Sequence, residues 1–330
     1  MSGRRGLAAL PLSIAAASAL LLAGLAGCSG DGVPSPAPSA SASPTPLAPK
    51  TPPPLTPISR ADLQKALSDV DAALGPGFGA VGGAQTPSDL SGALGAVALN
   101  LDLQADVLDK LRPPLPSATA TRQLAAALRS LSNDLTAVAT DATNQKVCTG
   151  ASGLPHVANS PGADAFRLAF LTLNTANPGH PYTFGTFLPA AGPDPNRRPG
   201  SGPLPGGRRG GYGKLTVENQ GTVDTVVKLM AGGDLIRSIY VQAGGKVTVD
   251  AIPNGTYDAF YTSGSDWDDG GRRFTRDCEF DKFDDPLPYS TTTTSTAIEY
   301  SVWTLTLHTA SSLGGGASTS PVEPGAFPGS

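Results

Sequence analysis

Histidine, cysteine and charge are all scarce in this chain, and each scarcity removes a class of chemistry. The three histidines (His156, His180 and His308) are scattered along 330 residues, and none belongs to a His-Glu-x-x-His zinc helix. No Gly-x-Ser-x-Gly elbow is present, and no histidine follows or precedes Cys278 closely enough in sequence to activate its thiol. The common hydrolase constellations are missing, so no catalytic residue is assigned. Charged residues make up 15 % of the chain, 23 basic against 27 acidic. That balance, with arginines spread through loops, argues against nucleic acid as a partner. Glycine (40) and proline (32) are abundant instead, so a large share of the chain must be linker rather than core.

The N-terminus carries the clearest signal. Arg4 and Arg5 precede an uncharged apolar run from Leu7 to Leu25, which ends in Ala26-Gly27-Cys28. Charged region, apolar region and small-residue cleavage site, in that order, describe a secretory signal peptide over residues 1–27. The run also approaches the roughly 20 residues of a membrane span, but Pro11 and Ser13 interrupt it. Leu25-Ala26-Gly27-Cys28 resembles the lipobox of bacterial lipoproteins. That resemblance implies cleavage before Cys28 and diacylation of its thiol, giving the two acyl chains that stable anchoring needs. The expected location is the extracytoplasmic face of the cell membrane. Whether Arg4-Arg5 serves a general or a twin-arginine export route stays open.

Loss of residues 1–27 leaves 21 basic residues against 27 acidic. With Cys28 taken by lipid, Cys148 and Cys278 remain, and an exported protein with two cysteines most often pairs them. Residues 28–57 then read as a tether: Ser29 to Pro57 holds ten prolines among serine, alanine and threonine. Such a segment buries too little surface to offset its ordering entropy.

Residues 58–188 read as an antiparallel bundle of four helices. Ser59 and Asp62 cap the first, which carries Leu63, Leu67, Val70 and Leu74 and is expected to stop at Gly75-Pro76. Thr86-Pro87 opens the second, whose seam runs from Leu90 to Leu111 with Gln104 as its one polar break, read as a register or edge residue. The third carries Leu124, Leu128, Leu131, Leu135 and Val138, and the fourth opens at Ser160-Pro161. Residues 189–213 are a Gly/Pro-rich linker in which Arg197-Arg198 and Arg208-Arg209 are expected to be solvated.

Residues 214–309 change to short alternating runs separated by Gly232-Gly233, Gly244-Gly245 and Asn254-Gly255, the spacing of an all-β sandwich. Residues 310–330 return to Gly, Ser and Pro and read as a disordered tail. The fold class expected is therefore α+β and multidomain. Gly244 to Val249 followed by Ile252-Pro253-Asn254-Gly255-Thr256-Tyr257 resembles the corresponding segment of transthyretin-like and carboxypeptidase-regulatory-like sandwiches. Three further pieces, Tyr261 to Asp268, Arg272 to Cys278 and Phe280 to Asp285, resemble in that order a family of secreted actinobacterial lipoproteins. The excess of arginine over lysine, 15 to 8, fits a GC-rich genome of that kind. That resemblance implies location and a β domain, and it brings no activity or catalytic residue with it.

Two constellations could carry function. Eight carboxylates fall between Asp266 and Asp285. Asp266, Asp268 and Asp269 followed by Gly270 offer the hard oxygens and the turn of a calcium loop, without the rest of an EF-hand. Arg272, Arg273, Arg276 and Lys282 stand among them and offer local neutralisation instead. Trp267, in an expected inter-strand loop, either caps the sandwich core or stacks on a ligand. The function expected is a membrane-anchored, non-enzymatic binding or structural module of the cell envelope, facing a protein or polymer partner and needing no cofactor. The alternatives are a carboxylate- or metal-dependent hydrolase of wall polymer and a calcium-stabilised structural surface protein.

Overall fold

The computed structural model describes residues 56–307 and 318–329. The expected signal peptide, Cys28, nearly all of the tether, His308 and residues 310–317 lie outside them. Five helices come first: α1 (Arg60–Gly83), α2 (Pro87–Lys110), α3 (Leu115–Thr143), α4 (Gly150–Ala158) and α5 (Pro161–Thr175). Among the described residues, no helix is long and apolar enough to cross a membrane.

Local chemistry sets most helix starts. Ser59 and Asp62 form a reciprocal capping box, Thr86 accepts from the Asp89 amide, and Ser160 accepts from the Ala163 amide. Leucines three and four apart then turn one stripe inward, so Leu63, Leu67, Leu90, Leu94, Leu124 and Leu128 are wholly buried in one core. Gln104 donates to Asn100 one turn away.

Two helical expectations need correction. Gly75-Pro76 does not end α1, which continues to Gly83 with Pro76 inside it. The extra turns bury Phe78 and Val81, and Phe78 lies 5.1 Å from the Phe187 ring. A side chain at Gly77 would strike Val97 of α2, so close helix approach overrides poor propensity. The fifth helix, α4, is the other surprise. Its sequence contains Gly150, Gly153 and Pro155, and it forms because tertiary partners hold it. The Gly150 amide donates to Ala84 O, and a Cβ at Gly150 would overlap the carbonyls of Val81 and Gly82.

The remainder is rich in sheet and mostly antiparallel. A seven-stranded sheet runs β1 (Gly202–Pro203), β4 (Asp234–Val241), β3 (Asp224–Ala231), β6 (Gly255–Asp268), β7 (Arg273–Phe283) and β12 (Thr319–Pro321), with β8 (Leu287–Tyr289) also pairing β6. A three-stranded sheet runs β11 (Val302–Leu307), β2 (Gly213–Asn219) and β5 (Lys246–Ile252), with β11 parallel to β2. The pair β9 (Thr291–Thr293) and β10 (Ile298–Tyr300) forms a small ribbon.

Strand β3 is buried along almost its whole length. Its odd-numbered residues Val227 and Leu229 join Leu215, Val217, Ile239 and Leu305 in one cluster. Val226, on the opposite face by the two-residue period, joins Tyr240, Trp267, Phe274, Cys148 and Cys278 in another. Into that second face comes the turn after α3. Val147 forms a bridge with Arg276, and the Cys148 amide donates to Thr275 O. The sulfurs of Cys148 and Cys278 are 2.04 Å apart, as the sequence led us to expect.

Three more expectations change. Much of the acidic stretch 266–285 is the strand β7 rather than a turn region. Phe274 and Cys278 point inward while Asp277 and Glu279 are exposed, an alternation that the number of charges concealed. The tail is ordered over 318–329: β12 pairs with β7, and Phe327 is buried against Phe260 and Phe280. Residues 194–205, inside the expected linker, lie against the sheet and bond to it.

Candidate functional site

The carboxylates singled out in the sequence do not converge. Asp266 sits at the end of β6 with φ +55°, a left-handed conformation that Asp tolerates better than most residues. Its side chain is wholly buried. It accepts from Arg197 N, Nε and Nη2 at 2.7, 2.9 and 2.7 Å and from Thr275 Oγ1 at 2.6 Å. Burial alone would raise its pKa; the Arg197 and Thr275 donors outweigh it and hold the group below the usual carboxylate range. Asp268 accepts from Arg197 Nη1 and the Gly271 amide, and Asp269 from Trp267 Nε1. Among the described residues, no group of three or more His, Cys, Asp or Glu side chains is placed to hold a metal.

Arg198 repeats the pattern one residue on. It grips the buried Asp224 through Nε and Nη2 at 2.7 and 2.8 Å, and Tyr240 Oη and the Ala243 amide complete that carboxylate. Asp224 is likewise held low, with burial opposing the Arg198, Tyr240 and Ala243 donors. The pair expected to be solvated therefore neutralises two buried acids. The cations within 272–285 also pair at long range: Arg276 with Asp194, and Lys282 with Asp258. His156 lies in α4, with Nδ1 3.0 Å from Ser152 O.

Trp267 is 1 % exposed and packs edge-on against Phe274 and Tyr240, with centroids 5.1 and 5.8 Å away. Of the two readings the core one holds, and the loop placement is corrected: Trp267 is the penultimate residue of β6. One margin of it nevertheless lines a cavity of about 670 Å³, a size usual for small-molecule sites.

That cavity is built from four parts of the chain. The stretch 199–205 gives one wall through Pro203, Leu204 and Pro205. Strands β3 and β4 give Lys228, Met230 and Leu235, the β6–β7 turn gives Asp269 and Arg272, and the tail gives Pro328 and Gly329. Gly206, at φ +102°, turns the wall past Leu235 and Arg272 in a conformation that other residues adopt only under strain.

Lys228 is the chemical centre of the cavity. It lies in the middle of β3 opposite Phe260 of β6 and Ser238 of β4, and it is only 5 % exposed. Its Nζ donates to Pro328 O at 2.6 Å and lies 5.0 Å from the centre of the Phe327 ring. No carboxylate pairs with it among the described residues. Burial, with Arg273 and Arg272 adding repulsion, lowers its pKa from 10.5 to about 8. Arg272 is exposed and has no hydrogen bond or ion pair to another described residue.

Sequence reasoning missed Lys228 because an alternating strand reads a lone lysine as its solvent face. The available signal was positional: Thr225-Val226-Val227-Lys228-Leu229-Met230 is too apolar for a half-exposed strand. No family model, curated protein or solved structure matches the chain.

Proposed function

We propose that this protein is a lipid-anchored extracytoplasmic lipoprotein of the actinobacterial kind, and that its sheet-rich half is a non-enzymatic binding module of the cell envelope. We read the helical half as an antiparallel bundle and the sheet-rich half as a transthyretin-like sandwich. The observation that supports binding is the cavity of about 670 Å³, which joins apolar walls to the buried Lys228, with which no carboxylate pairs among the described residues. Keeping a lysine there opposes folding, which is the usual mark of a residue retained for recognition rather than packing.

Two experiments test the reading. A neutral naphthylamine dye should brighten on entering the cavity with one-to-one stoichiometry, and Leu235→Trp, which narrows the cavity, should weaken the signal. No uptake, or uptake unchanged in that variant, overturns the binding module. For the anchor, metabolic labelling with an alkynyl fatty acid should mark the wild type and not Cys28→Ala, and the variant should leave the membrane fraction. Equal labelling overturns the assignment of Cys28.

A further inference from the structure

The charges around the cavity identify a ligand class, an inference that rests on reading the cavity as the binding site. Three ionisable side chains line it: Lys228, Arg272 and Asp269. Asp269 is already engaged, accepting from Trp267 Nε1 at 2.7 Å. Lys228 has three donors, and the one hydrogen bond it makes goes to a neutral carbonyl, Pro328 O. Arg272 has five donors and spends none on another described residue. Among the described lining residues two cations therefore face one carboxylate, which leaves an excess of positive charge in the cavity.

Among the described residues the buried ammonium is held by one amide carbonyl and an aromatic face, which leaves it undersupplied with acceptors. A carboxylate gives it a charge-assisted bond about twice as strong and restores the solvation that burial took away. The rest of the lining argues for more than a bare inorganic anion. Leu204, Pro205, Met230, Leu235 and the Trp267 margin present apolar surface that an ion would leave unfilled. The tail makes the exchange feasible. The carbonyl that Lys228 uses belongs to Pro328, which lies outside the strands of the sheet, so a ligand replaces that bond without opening the strand ladder.

We propose that this cavity binds an amphipathic organic anion, with its carboxylate at Lys228 Nζ and the Arg272 guanidinium and its apolar body along Leu204, Met230 and Leu235. The Pro328 carbonyl holds the ammonium when the ligand is absent. Lys228 and Arg272 are binding residues in this account, and no bond is made or broken.

The test uses three probes sharing one tail, dodecanoate, dodecanol and dodecylammonium, each below its micelle-forming concentration. They compete for the neutral dye on the mature chain at pH 7. Dodecanoate should displace the dye at a concentration at least ten-fold below dodecanol, with dodecylammonium the weakest. Lys228→Met should bring dodecanoate to within three-fold of dodecanol. Arg272→Gln, at an exposed position with no side-chain partner among the described residues, should reduce the carboxylate preference in the same direction without touching the core. Equal displacement by dodecanoate and dodecanol overturns the anion proposal and leaves the binding module standing. Failure of the dye and of all three amphiphiles overturns both.

Discussion

Lys228→Met should make the protein more stable at neutral pH. A shift from 10.5 to about 8 means that protonated Lys228 opposes folding by about 3 kcal/mol wherever both states are charged. The sign follows from which state holds the proton. The folded pKa is below the unfolded one, so between about pH 8 and 10.5 the unfolded chain binds more protons, and stability climbs as pH rises. The cost is complete below pH 8 and fades towards 10.5. Tyr240 and Tyr289, whose pKa values burial pushes upward, act oppositely above about pH 10, which confines a clean measurement to pH 7–9.5. Over that window the wild type should gain about 2 kcal/mol from Lys228 alone. Methionine keeps the volume and removes the charge. It also loses the Pro328 hydrogen bond and the Phe327 contact, together about 1–2 kcal/mol. Guanidinium unfolding should therefore place Lys228→Met about 1–2 kcal/mol above wild type at pH 7, with the gap close to zero at pH 9.5. A gap that stays constant from pH 7 to 9.5 would refute the reasoning, because it would mean that Lys228 keeps its ordinary pKa in the fold.

Asp266→Asn should cost about 3 kcal/mol in the same assay, since it removes the charge from a wholly buried acceptor of three Arg197 bonds and leaves Arg197 only Asp268 among the described residues; an unchanged midpoint would show that the pair contributes nothing. Because Asp266 and Asp224 are held low in the folded state, their stabilisation is complete above the ordinary carboxylate pKa of about 3.9 and is lost as pH falls below it. The wild type should accordingly lose stability more steeply than Asp266→Asn on acid titration. Gly150→Ala should lower Tm sharply because its Cβ has no room against Val81 and Gly82, whereas Gly79→Ala, with open space around it, should gain up to about 1 kcal/mol. Replacing both Cys148 and Cys278 by Ser opens a 130-residue link and should cost about 5 kcal/mol on the chain-entropy estimate, read from denaturation midpoints with and without reductant.

Short-range chemistry is what the sequence displays best. Ser59 with Asp62, Thr86 before Pro87 and Ser160 before Pro161 announce helix starts through bonds within three residues. The heptad of leucines in α2 and the Gly turns between strands are equally local. The partners of Arg197, Arg198 and Arg276 were not legible, because Asp266, Asp224 and Asp194 lie 69, 26 and 82 positions away. Composition could see an acidic run and a basic linker, yet nothing in either names its counterpart. Helix α4 was hidden for a related reason: its glycines lower intrinsic propensity while creating the close approach to α1 that stabilises it. The cavity combines both difficulties, since the stretch 199–205, β3, the β6–β7 turn and the tail meet only in the folded chain.

The stretch 194–209 has the composition of a spacer and the bonding of a seam. Arg197 and Arg198 are anchored in buried acids, Leu204 donates to Ser238 O, and Arg208 donates to Ile236 O. A protease that read Gly200 to Gly211 as a hinge would not release two independent pieces. It would strip the sheet of the cations that neutralise Asp224 and Asp266 and of one wall of the Lys228 cavity. Cutting the chain there should yield nicked protein whose fragments stay together through Cys148–Cys278 and hold their structure only as a pair. The helical and sheet halves thus belong to one compact unit, and an attempt to express either alone begins by removing what the other contributes.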